Sequence, residues 1–334
     1  MLNTLRQLFK FNPSIALFGM PMGLFGLGMN GHHFETVLGW HTLLPELILS
    51  YGALALFVVG IPYFWHWLKN LGGDHTLKSE WQDPFQLSLF PSLTLTLMLF
   101  ALALYQFDIF PEFAFAFFGI VLFLHTLLFL IMVSRWIFDQ KVLLSHLKPT
   151  WFILLSGNFV AVIAGSQFLP QAWQELLWFY FSASLFIWVT LVVSLFYKLF
   201  FTEGIPLNFR PTLFIFLAPP SLGTIAGLIL MGDDTVNLIS WVFYSFASLM
   251  LAVWAYAIVE FKKSQLSMVG WAYVYPLAAY GLATQYLAEL LSDEILWWWS
   301  GMLFLVTIGF VLLLSVWLLK QAKRQLATER TDSL

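Results

Sequence analysis

The sequence predicts an all-α integral membrane fold: ten transmembrane helices arranged as five helical hairpins in a quasi-five-fold ring around a central pore. Three observations predict it. Of the 334 residues, 60% are hydrophobic and 10% charged, with a mean hydropathy of +0.83, whereas a soluble domain carries about 25% charged residues. Apolar stretches of the length needed to cross a bilayer, roughly 20 residues, recur along the chain. Every second stretch carries a proline or a cluster of small residues at a corresponding position.

The first stretch, about 14–33, follows a basic lead, MLNTLRQLFKFNP, that resembles a signal peptide. The apolar run continues past Pro21 without a small-x-small cleavage site, so it reads as a retained first helix. Further stretches lie at about 43–67, 85–107, 112–136, 149–169, 173–198, 209–231, 236–260, 266–290 and 296–319. β-Barrel strands are much shorter and alternate in polarity, and these segments do neither, so the spans are helices. Paired in order they give hairpins at 14–67, 85–136, 149–198, 209–260 and 266–319, within one transmembrane domain over 1–334 with short tails.

The odd-numbered spans carry Pro21, Pro91, Pro219 with Pro220, and Pro276, and the fifth has Gly157-Asn158 instead. These markers recur at intervals of 70, 67, 61 and 57 residues, the length of two spans with their loops, which is the signature of an internal repeat. Proline within a helix removes a hydrogen bond and clashes with the preceding turn. In a bilayer such a break belongs where protein or a water-filled cavity meets the freed backbone. The odd spans also hold the small and hydroxylic residues, among them Ser92, Asn158, Ser221 and Thr284, the candidate pore lining. The even spans, as in LFVVGIPYFWHW, are bulkier and suit a lipid-facing outer ring.

Charge orients the array. All fifteen Lys and Arg residues, from Arg6 and Lys10 to Arg330, fall on one side of the ten-span arrangement together with eight acids, and ten acids fall on the other. The positive-inside rule makes the basic side, with both termini, cytoplasmic. Its net charge of +7 faces −10 outside, which sums to the chain's −3. The Trp297-Trp298-Trp299 triplet opens the last span on the outer side as an interfacial anchor.

No Asp, Glu, Lys or Arg lies near mid-depth of an odd span. Proton-coupled carriers, cation channels and pumps place ionisable groups on their paths, whereas donors without fixed negative charge suit small monovalent anions. His125, midway along the fourth span, reads as a neutral histidine bonded to a neighbouring helix. The run NGHHFETVLGWH carries His32, His33, Glu35 and His41, residue types that bind metals, but their spacing matches no firm motif and they read as a wet loop. The chain has no cysteine, which excludes disulfides and thiolate chemistry, and no hydrolase, phosphate-loop or dinucleotide signature. A non-enzymatic protein without metal, cofactor or nucleic-acid partner is expected.

The segments FGMPMGLFGLG, LKPTWFILLSGNFVAV, FRPTLFIFLAPPSLG and GWAYVYPLAAYGLA, in the first, fifth, seventh and ninth spans, resemble the tellurite-resistance and dicarboxylate transporter (TehA) family. That family also contains the slow anion channels of plant guard cells. The resemblance implies an inner ring of proline-kinked helices forming one pore per subunit, a homotrimer, a bacterial inner membrane location and an aromatic residue on the ninth helix that occludes the pore. Aligning WAYVYPL on its tryptophan and the following aromatic pair puts that residue at Tyr275, where the family has phenylalanine. The function expected is a channel for small inorganic anions of the chloride, nitrate and bicarbonate class. The alternative is a secondary carrier for a dicarboxylate or a tellurium or sulfur oxyanion, with any proton coupling running through His125.

Overall fold

A computed structural model describes residues 14–69, 77–202, 204–232 and 235–332. Arg6, Lys10, His75, Asp233 and Asp234, which entered the charge and surface assignments, lie outside the described residues. Among those described every regular element is helical. The long helices are α1 (Gly19–Leu38), α2 (Leu44–Lys69), then, after the short α3 (Leu77–Gln82) and α4 (Pro84–Leu87), α5 (Phe90–Gln106), α6 (Pro111–Phe138), α7 (Phe152–Phe168) and α8 (Gln174–Phe201). They continue with α9 (Ala218–Met231), α10 (Leu238–Tyr256), the short α11 (Ile258–Lys262), α12 (Val274–Leu291) and α13 (Glu294–Asp332).

Eight stretches among the described residues are long and apolar enough to cross a membrane. α1 and α12, the first and ninth expected spans, are not among them. Asn30, His32 and His33 with several glycines in α1, and Gln285 with three tyrosines in α12, lower their hydropathy. Both are nevertheless deeply packed, with Asn30 and Gln285 fully buried. The Asn30 amide donates to the Ala278 carbonyl and the Gln285 amide donates to Asn30 Oδ1, each at 2.8 Å, so two buried side chains tie α1 to α12.

Packing follows the hairpins and then a second order. α1 packs on α2, α5 on α6, α7 on α8, α9 on α10 and α12 on α13. In addition α1 packs on α5, α5 on α7, α7 on α9, α9 on α12, and α12 on α1. Burial divides the two sets. In the spans containing α5, α7 and α9, 78, 89 and 83% of a central window is buried, against 22–39% for α2, α6, α8, α10 and α13. The latter expose Phe57, Phe123, Phe186, Val242 and Leu305 as hydrocarbon-facing surface.

The prolines expected to kink the spans occupy a different local setting. Pro21, Pro91, Pro219 and Pro276 all lie in the first turn of an α-helical segment. In three of the four repeats a 3₁₀ stretch leads into that segment: Ile15–Phe18, Leu207–Leu217 and Met268–Tyr273. Proline suits a first turn, where its missing N–H and fixed φ cost least. The break is therefore a change of helix type rather than a bend within an α-helix. The third repeat, whose inner span has no such proline, begins with the 3₁₀ turn Pro149–Trp151.

The segment NGHHFETVLGWH departs from the expected wet loop. His32, His33 and Glu35 belong to the last turns of α1, which stops at Gly39 in the left-handed conformation (φ 66°). The helix continues through them because its partners there are rings: His32 packs on Phe107, and His33 stacks on Tyr286 at 4.5 Å. Glu35 accepts from the Thr42 hydroxyl and amide.

Candidate functional site

A cavity of about 100 Å³ lies where the inner helices begin. It is lined at intervals of three residues by each of them: Ala16, Gly19 and Met22; Leu89, Ser92 and Leu95; Thr150, Ile153 and Ser156; Thr212, Ile215 and Ala218; Val269, Ala272 and Tyr275. In a 3₁₀ helix residues three apart eclipse one another. The 3₁₀ leads, where present, align side chains in this way; Leu89, Ser92 and Leu95 keep the same spacing at the start of α5, which has no such lead. Pro276 joins the wall beside Tyr275.

Electrostatically the site is a positive concavity without a charged wall. Among the described residues lining it none is charged. The five helical stretches all start at this end, so their positive N-terminal ends, each equivalent to roughly half an elementary charge, converge on it. Bases gather around the same end. Lys148, just before Thr150, sits half-buried with its ammonium 4.3 Å from the ring centre of Phe85, which itself lines the cavity, and 5.3 Å from that of Phe209. Lys198, buried in α8, donates to the carbonyls of Ser145 and Leu147 at 2.7 Å and so holds the loop that presents Lys148. Arg210 and Lys263 both pair with Glu260. The hydrogen bonds from Lys263 and then Arg210 hold the Glu260 carboxyl below its ordinary range.

Tyr275 forms part of the wall of this space. Its side chain is 3% exposed. A Cβ on Gly26 of α1 would stand 2.7 Å from Tyr275 Cδ2, so the ring rests directly on the bare backbone of that glycine. The Tyr275 hydroxyl is buried with no hydrogen-bond partner.

Of the four residues expected to line a pore, the structure puts one on the cavity. Ser92 lines it. Asn158 turns instead toward α6, where its Oδ1 meets His125 Nε2 at 3.0 Å. Thr284 turns toward α10, 3.1 Å from the Tyr244 hydroxyl, and Ser221 bonds back to the Leu217 carbonyl without touching the cavity. Ser156, one of the hydroxylic residues of the odd spans, lines the cavity, as do Thr150 and Thr212, which were not singled out from sequence. Both threonines directly follow a proline at the start of an odd span, and that was the signal.

His125 is a cross-link between inner helices. Its Nδ1 lies 2.8 Å from the Thr94 hydroxyl of α5 and its Nε2 bonds Asn158 of α7. An amide oxygen only accepts, so Nε2 carries the proton and Nδ1 accepts from Thr94. The imidazole fits because position 157 is glycine: a Cβ there would fall 2.2 Å from His125 Cε1. Among the described residues no group of three or more His, Cys, Asp or Glu could hold a metal ion.

The chain is 24% identical over 269 residues to Uncharacterized transporter MJ0762 of Methanocaldococcus jannaschii, covering 75% of this chain and 77% of that one. It is 28% identical over 171 residues to Uncharacterized transporter MJ0576 of the same organism, covering 46% and 49%. It is also 24% identical over 218 residues to S-type anion channel SLAH3 of Arabidopsis thaliana, covering 65% of this chain and a third (33%) of the plant protein's length. Residues 12–319 match the family described as SLAC1, voltage-dependent anion channel, and the chain belongs to that family.

Proposed function

We propose that the protein is a passive channel for small monovalent anions, of the chloride, nitrate and bicarbonate class, with Tyr275 as its plug. In this reading it is a single domain of ten spans in five hairpins. α1, α5, α7, α9 and α12 ring the pore, and the remaining long helices face lipid or neighbouring subunits of a homotrimer. The single observation that carries the reading is the cavity. Five helix N-terminal ends converge on it, its described wall has no charge, and that wall includes an aromatic ring seated on Gly26. Fixed positive potential from backbone, with no deep ionic trap, supports favourable approach and weak holding, which conduction requires. The alternation of neighbours α1, α5, α7, α9, α12 and back to α1 supports the ring. The basic residues around the cavity mouth support a cytoplasmic orientation for that end, in a bacterial inner membrane. A dicarboxylate carrier would call for an arginine or lysine clamp at the site, and the described wall offers hydroxyls and apolar groups.

The test is the current–voltage relation in planar bilayers under a chloride gradient, comparing the parent with Tyr275→Ala. An anion-selective reversal potential with a current at least about tenfold larger in the variant is expected, because a single ring accounts for the closure. Equal currents would remove the plug. No current in either, alongside saturable electroneutral uptake of malate into vesicles, would replace the channel with the carrier.

A further inference from the structure

Five hydroxyl groups line the cavity, and four have committed their hydrogens. Ser92 donates to the Leu89 carbonyl at 2.6 Å, Ser156 to that of Phe152 at 3.1 Å, and Thr212 to that of Phe209 at 2.6 Å. Thr150 lies beside Ser88, whose own hydrogen goes to the Phe85 carbonyl, so Thr150 is the donor in that pair. These four oxygens turn lone pairs, not hydrogens, toward the cavity. Tyr275 is the exception: its hydroxyl is buried, carried on a side chain that forms part of the cavity wall, and bonded to nothing. A buried hydroxyl without a partner carries an uncompensated desolvation cost, and in a native structure such a group points to a ligand or a water.

We propose that the Tyr275 hydroxyl is the hydrogen-bond donor to an anion resting in the cavity, so that the plug is at the same time an anion subsite. This rests on the channel reading for the class of ligand. The ligand is a small monovalent anion that accepts hydrogen bonds well, a halide, nitrate or bicarbonate. The cavity has room for such an ion with part of its hydration shell. Bases at the mouth and helix ends at the wall attract any anion alike. The hydroxyl adds a directional bond that strong acceptors such as chloride exploit and weak acceptors such as perchlorate do not. Tyrosine at this position therefore confers discrimination among anions that a bare ring does not supply.

Tyr275→Phe keeps the ring on Gly26 and deletes only the donor. The experiment is chloride binding to the purified full chain in detergent, read from ³⁵Cl relaxation with and without competing nitrate or perchlorate, in the parent and in Tyr275→Phe. Loss of one charge-assisted hydrogen bond should weaken chloride binding roughly tenfold, and nitrate should displace chloride from the parent better than perchlorate does. An unchanged circular dichroism spectrum and melting temperature show that the variant is folded. Equal chloride relaxation in the two proteins would overturn the inference, whether or not the parent conducts, because the hydroxyl then has only water to bond. If Tyr275→Phe loses chloride binding while neither parent nor Tyr275→Ala passes current, the subsite stands and the channel reading falls.

Discussion

The inner and outer helices of this protein differ in where they carry polarity. Both sets bury apolar side chains, but α2, α6, α8, α10 and α13 also expose phenylalanine, leucine, isoleucine, valine and tryptophan. The inner set buries Asn30, Thr94, Asn158, Thr284 and Gln285. In water the hydrophobic effect would sort these residues the other way. Lipid tails offer no such drive, so helices associate through close packing and interhelical hydrogen bonds. The difference teaches where the energy of association resides. It lies in a few polar cross-links and glycine contacts within the inner set, while the outer set supplies solubility in hydrocarbon.

The comparison breaks most visibly at His125, one polar residue of an outer helix that reaches inward. His125→Ala removes a filled volume and leaves Asn158 unpaired in the core, while Thr94 keeps only the Pro91 carbonyl, an expected loss of about 2–4 kcal/mol. Phe123→Ala on the lipid face of the same helix, 62% exposed, should change stability by no more than about 0.5 kcal/mol. Thermal melts in one detergent compare the two directly, and equal losses would refute the division.

A smaller effect is expected at Gly26. In Gly26→Ala the new methyl meets the Tyr275 ring at 2.7 Å, and overpacking of this kind costs about 1–3 kcal/mol. The ring must give, so basal anion leak in vesicles should rise while Gly309→Ala on the exposed face of α13, whose added methyl meets nothing within 4 Å, should leave leak at the parental level.

The smallest effect sharpens the boundary between cavity and surface. Lys148→Gln removes a charge poised over Phe85 and Phe209 but leaves the wall intact. Anion current in a conducting Tyr275→Ala background should fall by roughly two- to fivefold at low salt and converge with the control near 1 M, where screening shortens to about 3 Å. A deficit that persists at high salt would mean that Lys148 shapes the mouth instead of charging it.

Much of this arrangement was legible in the sequence. Composition set the membrane class, and the recurrence of Pro21, Pro91, Pro219 and Pro276 picked out four of the five inner helices before any contact was known. The resemblance carried by GWAYVYPLAAYGLA singled out Tyr275, which does line the cavity. Side-chain direction was not legible. Asn158 and Thr284 are polar residues on inner helices and so looked like lining, yet they face His125 and Tyr244 on outer ones. The reason is helix type: a residue in a 3₁₀ turn advances about 120° and one in an α-turn about 100°. A few unrecognised 3₁₀ residues shift the assignment of every later side chain to a face. The cavity hydroxyls Thr150 and Thr212 sit in such turns.

The 3₁₀ leads also set a length. Each 3₁₀ residue rises about 2.0 Å where an α-helical residue rises 1.5 Å. The eleven residues Leu207–Leu217 therefore carry the chain about 22 Å, where an α-helix would carry it about 16 Å. α9 has only fourteen residues of its own, too few to cross a hydrocarbon core of about 30 Å. With its extended lead the same strand of chain makes the crossing, and a tight coil at one end becomes the means by which a short helix reaches both faces of the membrane.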